Sequence, residues 1–434
     1  MSEPAAKKQK SSGDMSGQKV VLAYSGGLDT SIILKWLSMK GFEVICYCAN
    51  VGQTGEDYEA IRKKATDCGA SKVYIEDLCK EFVEGPIWDG IKANAIYESR
   101  YLLGTSLARP VIAKRQIEIA QKEGAKFVSH GATGKGNDQV RFEMCAQALD
   151  ASITTIAPWR DPEFLERFKG RADLLEFATA QGIPVSSTPK ASYSIDENLF
   201  HTSYESGLLE DPMTPPPEDM FKMTVSPEKA PDKPELLRIE FKAGIPIKVT
   251  NKSDGTVTKG GVEIVTYLNK VAGANGVGRI DIVENRFVGI KSRGVYETPA
   301  GAVLREAHLD LEGICVDKEV LRIRDLLSTE FANLCYNGYW YAPEMELVKH
   351  SINYTQKDVT GSVELKLYKG NIEILGREAP SSLYSADLAS MEIEGGGSID
   401  YDPADAQGFI RINSTRLKAY NLLRGCPVKM LKKW

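Results

Sequence analysis

From Lys19 to about residue 170, short β-branched runs alternate with longer segments of helical period, and that alternation admits few folds. Val20–Tyr24, Val44–Ala49, Lys72–Glu76, Phe127–Ser129 and Thr154–Ala157 read as strands. Thr30–Lys40 closes at Gly41, while Tyr58–Asp67 and Ala113–Glu123 end before Gly69 and Gly124, as helices with glycine stops do. Units of this kind pack as a parallel sheet with helices on both faces, so the fold class is α/β, with a doubly wound nucleotide-binding domain first.

The chain has 434 residues, more than one hydrophobic core normally serves, and a second domain is expected. Breakers mark where it starts: the Pro/Ser-rich Ile183–Pro189, then Asp211–Pro217 and Pro227–Pro234. Beyond them the pattern is α+β. Leu237–Phe241 and Ile247–Thr250 flank candidate turns, and Val363–Tyr368 with Asn371–Leu375 around Lys369-Gly370 reads as a hairpin. Asn413 and Ser414 suit the cap of a C-terminal helix carrying Leu417, Tyr420, Leu422 and Leu423 before Gly425 and Pro427. Its apolar stripe either docks on its own chain or clasps another subunit. Met1–Gln18, small, polar and basic, reads as a disordered extension. The expected division is therefore 1–18 extension, 19–182 nucleotide-binding domain, 190–412 second domain and 413–434 terminal helix and tail.

Fifty-nine acidic against 54 basic residues leave a formal charge of -5, which supplies no electrostatic reason for a nucleic-acid partner. No apolar run approaches the ~20 residues that span a bilayer, and no secretory signal is evident, so no membrane partner and a cytoplasmic location are expected. The eight cysteines lack metal-site or disulfide-scaffold spacing. Cys46 and Cys48 alternate within a strand, where reduced thiols serve as packing.

Ala23-Tyr24-Ser25-Gly26-Gly27-Leu28-Asp29-Thr30-Ser31 follows the first strand and opens a helix. Two glycines let the main chain approach a phosphate, the helix start aims free amides at it, and Ser25, Thr30 and Ser31 add hydroxyl donors. A plain turn with Asp29 as N-cap would explain the glycines and the aspartate, but not the clustered hydroxyls. The loop has neither the Walker Gly-Lys-Ser/Thr nor the Gly-x-Gly-x-x-Gly spacing.

A second glycine-rich loop, Ser129-His130-Gly131-Ala132-Thr133-Gly134-Lys135-Gly136-Asn137-Asp138-Gln139-Val140-Arg141, follows the strand Phe127–Ser129. Asn137, Asp138 and Arg141 bring amide, carboxylate and guanidinium to one helix start, a mixture suited to an amino-acid head group. A solvated connection is the alternative.

The first loop resembles the pyrophosphate loop of the N-type ATP pyrophosphatases, which implies an adenine nucleotide alpha hydrolase-like domain and adenylation, with AMP rather than ADP as product. The second loop is similar to that of argininosuccinate synthases, as are Tyr101–Pro110, Gly278–Arg286 and Lys291–Gly301, and the likeness runs from about Lys19 to about Tyr420. The resemblance implies that Ala23–Ser31, Ala49, Ser129, His130 and Gly131 bind ATP. It implies citrulline at Tyr101, Ser106, Asn137, Arg141, Ser194, Ser203, Glu284 and Tyr296, and aspartate at Thr133, Asn137 and Asp138. Arg141 pairing a carboxylate and Glu284 holding an ammonium fit those ligands chemically.

Each residue also has a structural alternative: Tyr101 and Tyr296 as half-buried core, Glu284 as the end of a strand, Ser194 and Ser203 as turn residues. Arg109 suits either a carboxylate or a helix start before Pro110. The chain departs from the family pattern in its N-terminal extension, near Thr54–Gly55, at Gly395–Gly397 and in the Cys426–Trp434 tail. The implied reaction is attack of the citrulline ureido oxygen on the α-phosphorus of ATP with Mg2+, then displacement of AMP by the aspartate amine in a homotetramer contacting through Asn413–Arg424. Asp138 is the candidate general base, with no metal ligand assigned. A tRNA sulfur-transferase would want a cysteine pair and a basic surface, and a glutamine-dependent synthetase a cysteine after Met1, where Ser2 stands. A nucleotide sensor without catalysis is the alternative from another class.

Overall fold

The computed structural model describes residues 15–184, 193–389 and 402–424. Residues 1–14, most of Ile183–Pro189, the Gly395–Gly397 turn and the Cys426–Trp434 tail lie outside the described residues. The chain divides into two units, one ending at Ser381 and the other starting at Ser382.

The first unit opens with β1 (Lys19–Ala23), β2 (Glu43–Asn50), β3 (Lys72–Asp77), β4 (Phe127–Ser129) and β5 (Thr154–Ile156). They form one parallel sheet in the order β3-β2-β1-β4-β5. Alternate residues of a strand face opposite ways, and here both faces are covered. Val20, Leu22, Val44, Cys46 and Cys48 pack with Ile32, Ile33, Trp36 and Leu37 of the helix Leu28–Met39. Val21, Ile45 and Tyr47 face the other core, with Leu107, Val111 and Ile117 of the helix Gly104–Glu123. The cysteine alternation is thus packing against a helix. Chain order runs from β1 outward to β3 and returns to β4 on the far side of β1, so the strand order reverses between β1 and β4, where such sheets open a ligand crevice at the C-terminal ends.

The rest of this unit carries two antiparallel sheets. β6 (Ser194–Glu197) and β7 (Thr202–Glu205) join β11 (Arg279–Asn285) and β12 (Lys291–Glu297) in the order β11-β12-β7-β6. β8 (Glu235–Lys242), β9 (Ile245–Asn251), β10 (Val257–Lys259), β13 (Gly361–Tyr368) and β14 (Asn371–Glu378) form β10-β9-β8-β13-β14. The β13–β14 turn at Lys369-Gly370 has φ of 45° and 85°, the double left-handed geometry of a tight hairpin. Ile239, Phe241, Val363 and Leu365 belong to the same continuous core as Val21 and Ile45, so the antiparallel half shares the core that lies on one face of the parallel sheet. No helix among the described residues is long and apolar enough to cross a membrane.

Two local expectations are corrected, and one alternative weighed for the first loop is excluded. The helix expected at Ala113–Glu123 begins at Gly104, because Pro110 lies inside it rather than at its start; only the hydrogen bond to the Ser106 carbonyl is forgone. Asp29 is not an N-cap: the helix starts at Leu28 after Gly27, and Asp29 sits in its first turn. In the second unit the terminal helix is Asp405–Arg424, so Asn413 and Ser414 do not cap it. They lie within it and bond back to Phe409 O and Arg411 O at 2.9 Å each.

Candidate functional site

The loop after β1 is braced from within. Gly26 has φ +75°, a conformation that favours glycine. Ser31 Oγ donates to Gly27 O at 2.7 Å, Tyr24 Oη lies 3.0 Å from Ser31 Oγ, and Ser25 Oγ lies 3.2 Å from Thr30 Oγ1. Lys64 holds the outer turn through Gly26 O at 2.8 Å. β1 and β4 are paired neighbours, which brings the loop after β4 alongside: a Cβ added at Gly131 would stand 2.9 Å from Thr30 Cγ2. Ala49, near the end of β2, lies at the same edge of the sheet. His130 is buried; its Nδ1 accepts from Ala132 N at 3.2 Å and its ring lies on Phe142. Ser129 Oγ is buried without a hydrogen-bond partner among the described residues.

Beside these loops lies a polar cavity of about 280 Å³. Its guanidinium end is built by helix starts. Asp138, the first residue of the helix Asp138–Leu149, accepts Arg109 Nε at 2.9 Å and Nη2 at 2.8 Å on Oδ2, and Arg141 Nη1 at 2.9 Å on Oδ1. Arg109 Nη2 also donates to Asp196 Oδ2 at 2.6 Å, from β6. Burial alone would raise the Asp138 pKa, but the two guanidiniums outweigh it and hold the carboxyl well below the usual range. Arg141 in turn donates through Nε to Tyr336 O at 2.9 Å, with its guanidinium over the Tyr336 ring.

The opposite chemistry comes from the antiparallel strands. Glu284 of β11 accepts Tyr336 Oη on one oxygen at 2.6 Å and Tyr296 Oη of β12 on the other at 3.0 Å. Burial pushes its pKa up and the two hydroxyls oppose the rise. Glu205 of β7 is also raised by burial, opposed by its partner Arg286. A guanidinium group and a carboxylate group in one small cavity complement the two charges of an amino acid.

Of the sequence candidates, Tyr101, Gly131, Thr133, Asn137, Asp138, Arg141, Ser203, Glu284 and Tyr296 line this cavity together. Ser106 does not line it; its buried Oγ has no hydrogen-bond partner among the described residues. Ser194 is exposed on β6, opposite Glu205 in the β6–β7 register. The Ala23–Ser31 loop and Ala49 lie outside the cavity, reached through the Thr30–Gly131 approach. Thr105, Asp196, Glu205, Arg286 and Tyr336 also line it and were given no role from the sequence, Arg109 was left between two readings, and Ala132 and Gly136 of the second loop complete the lining. Spacing could have linked Thr105 and Arg109, one helical turn apart, and Arg286 closes the family-like segment Gly278–Arg286; nothing local marks Asp196, Glu205 or Tyr336.

Two family models match the chain, one after the other. The model described as the arginosuccinate synthase N-terminal HUP domain matches residues 19–184, and that of the arginosuccinate synthase C-terminal domain matches residues 193–420. Argininosuccinate synthase of Mus musculus is 58% identical over 405 residues, covering 93% of this chain and 97% of its own length. That of Homo sapiens is 58% identical over 405 residues with the same coverage, 93% and 97%. Argininosuccinate synthase of Thermotoga sp. (strain RQ2) is 56% identical over 407 residues, 94% of this chain and 98% of its own. With both family models matched in order and relatives aligned over nearly their whole lengths, the chain belongs to the argininosuccinate synthase family.

Proposed function

We propose that this chain joins citrulline to aspartate at the expense of ATP, releasing argininosuccinate, AMP and pyrophosphate, as a step of arginine biosynthesis. One observation carries the reading: a cavity bearing both guanidinium and carboxylate groups abuts, through Gly131 and Thr30, a braced glycine loop at the C-terminal edge of a parallel sheet. In this reading residues 19–182 supply the nucleotide site, the aspartate residues and half of the citrulline residues, and residues 190–412 supply the other half. ATP lies on Ala23–Ser31, Ala49 and Ser129–Gly131. Citrulline meets Tyr101, Ser106, Asn137, Arg141, Ser194, Ser203, Glu284 and Tyr296, and aspartate meets Thr133, Asn137 and Asp138.

The ureido oxygen attacks the α-phosphorus, the bond to the bridging oxygen breaks and pyrophosphate leaves. The aspartate amine then attacks the ureido carbon, the carbon–oxygen bond breaks, and AMP departs with the ureido oxygen. Amides of the loop and of the helix start at Leu28 face the phosphates and stabilise charge as it develops there. Holding both amino acids in one cavity makes the second step effectively unimolecular. Asp138, ionised between two guanidiniums, is a weak base, and its part is to align the incoming amine. No group of three His, Cys, Asp or Glu among the described residues forms a metal cage. A Mg2+ ion arriving with ATP needs only one or two protein oxygens, and Asp29 and Thr30 offer them. Bound there it would neutralise charge on the leaving pyrophosphate.

The proposal includes a cytoplasmic homotetramer, with the helix Asp405–Arg424 as a contact. Its Phe409, Ile412, Leu422 and Leu423 are exposed in the single chain. A chain ending at Ala404 that kept the native mass of the parent would argue against that contact. The activity itself is tested with citrulline labelled with oxygen-18 in the ureido group. Label in AMP, and argininosuccinate only when aspartate is present, support both steps; tight ATP binding without AMP would favour a nucleotide sensor.

A further inference from the structure

Between the helices Trp88–Lys92 and Gly104–Glu123, four non-glycine residues take left-handed backbone conformations: Asn94 (φ 46°), Glu98 (47°), Ser99 (64°) and Leu103 (63°). Asparagine adopts this region readily; glutamate, serine and leucine do so when their surroundings require it. The segment carries Tyr101 into the cavity lining and Tyr97 against the lining residue Tyr336. Tyr97 stacks on Tyr336 with centroids 3.7 Å apart, and Tyr101 stacks on Tyr296 at 4.2 Å. Tyr336 and Tyr296 are the residues whose hydroxyls hold Glu284.

The start of this segment is tied to groups that do not line the cavity. Asn94 Nδ2 donates to Glu312 Oε2 at 2.7 Å, its Oδ1 lies 2.7 Å from His308 Nδ1, and its main-chain oxygen accepts Arg305 Nε at 3.2 Å. All three partners belong to the helix Pro299–Cys315. Gln356 closes the ring: its Nε2 donates to Glu312 Oε1 at 2.7 Å, and its Oε1 lies 2.7 Å from His308 Nε2. Arg324 pairs with the same carboxylate. Asn94, His308, Glu312 and Gln356 are each no more than 3% exposed. A neutral His308 donates from only one of its two ring nitrogens, and Arg324 Nε has no partner among the described residues, so the ties that set where the strained segment begins are the amide–carboxylate bonds of Asn94 and Gln356 to Glu312 and the Arg305 bond to the Asn94 main chain. The middle of the segment is held separately at the cavity rim, where Tyr97 Oη donates to Asn285 O at 2.7 Å and Glu98 accepts Asn285 Nδ2 at 2.6 Å.

We propose that the Asn94–His308–Glu312–Gln356 cluster is a remote positioning device for the citrulline end of the cavity: it fixes the Tyr97 and Tyr101 rings, and through them Tyr336, Tyr296 and Glu284. The proposal rests on the reading that citrulline occupies that end. None of the four cluster residues is catalytic. The phosphate loop is braced by its own contacts, so ATP affinity does not depend on the cluster.

The test is steady-state pyrophosphate release by the full-length chain, varying ATP, citrulline and aspartate in turn, with a thermal melt for each protein. Asn94→Gly preserves the left-handed backbone at no steric cost and deletes the side-chain ties. It should raise the citrulline KM by roughly 10- to 100-fold, the size of effect a displacement of about 1 Å can produce, with the KM for ATP and for aspartate within about twofold of the parent. Gln356→Met, at the far side of the cluster, should give the same split to a smaller degree, and it decides the matter if Asn94→Gly melts without cooperativity. A citrulline KM within about twofold of the parent in a cooperatively folded variant would overturn the proposal, as would equal shifts in all three KM values, the mark of a general loss of structure. The parent is measured first. No citrulline-dependent pyrophosphate release from it would overturn the underlying activity, and the proposal with it.

Discussion

Asp138→Asn separates two roles for the residue that joins the guanidinium groups of the cavity. Arg109 reaches Oδ2 at 2.8 and 2.9 Å and Arg141 reaches Oδ1 at 2.9 Å. With charge centres ~4 Å apart and an effective dielectric of ~20, each ion pair contributes about 4 kcal/mol gross, or about 8 for the two. Desolvation takes back several kcal/mol per ion, and removing one partner of a buried pair typically costs roughly 3–5 kcal/mol. Asparagine keeps one acceptor oxygen, so the lower end, about 3 kcal/mol, is expected in a urea melt. A carboxylate held below its usual range accepts protons poorly near neutrality, because base strength falls with pKa. The variant should therefore raise the aspartate KM by roughly 10- to 100-fold through lost alignment, and leave the acid limb of the kcat–pH profile in place. Loss of a general base would instead lower kcat by about 10²–10⁴ and remove that limb. AMP release measured across a pH series, at saturating ATP and citrulline, separates the two. A collapse of kcat with an unchanged aspartate KM and an unchanged melt would refute the reasoning.

Glu284 titrates above the ordinary glutamate range because it is buried, so acidification should neutralise it early and raise the citrulline KM; in Glu284→Gln that KM should be high and independent of pH. His201 is fully buried beside Thr105, and burial, followed by Arg109 and Arg141, lowers its pKa from 6.5 to about 3. The native state then stays neutral where the unfolded chain takes up a proton, so stability present above pH 6.5 is lost as pH falls toward 3, by at most roughly 5 kcal/mol. His201→Gln should flatten that slope in urea melts taken across the window. Gly131→Ala places a methyl 2.9 Å from Thr30 Cγ2 and should push the two phosphate-side loops apart. Weaker ATP binding by calorimetry, by roughly tenfold, with a stability loss of about 1–3 kcal/mol is expected; unchanged ATP affinity would mean the two loops do not share the nucleotide.

The nucleotide half was legible in the sequence because its signals are local. Strand period, glycine stops and a hydroxyl-rich turn all act within a few residues, and the five parallel strands were read to within a residue or two of their observed ends. Two signals misled, each where a residue type serves more than one position: Pro110 inside a helix and Asn413 within a helix. Asp196, Glu205 and Tyr336 carried no mark at all, since a carboxylate or tyrosine turned toward a cavity has the same neighbours in sequence as one turned toward solvent.

What the sequence determined by itself was the α/β class, the phosphate-suited loop after β1, and, by resemblance along nearly its whole length, the family. What only the tertiary structure decided was which charged groups meet. Asp138 is flanked by Arg109 from a different helix, Glu284 is gripped by tyrosines from β12 and from the end of Lys318–Tyr336, and Asn94 is anchored by a helix that starts some two hundred residues later. Charge pairing depends on distance in space, and distances between remote elements are set by how the helices and the antiparallel half pack into the core they share with one face of the parallel sheet, which no local spacing encodes.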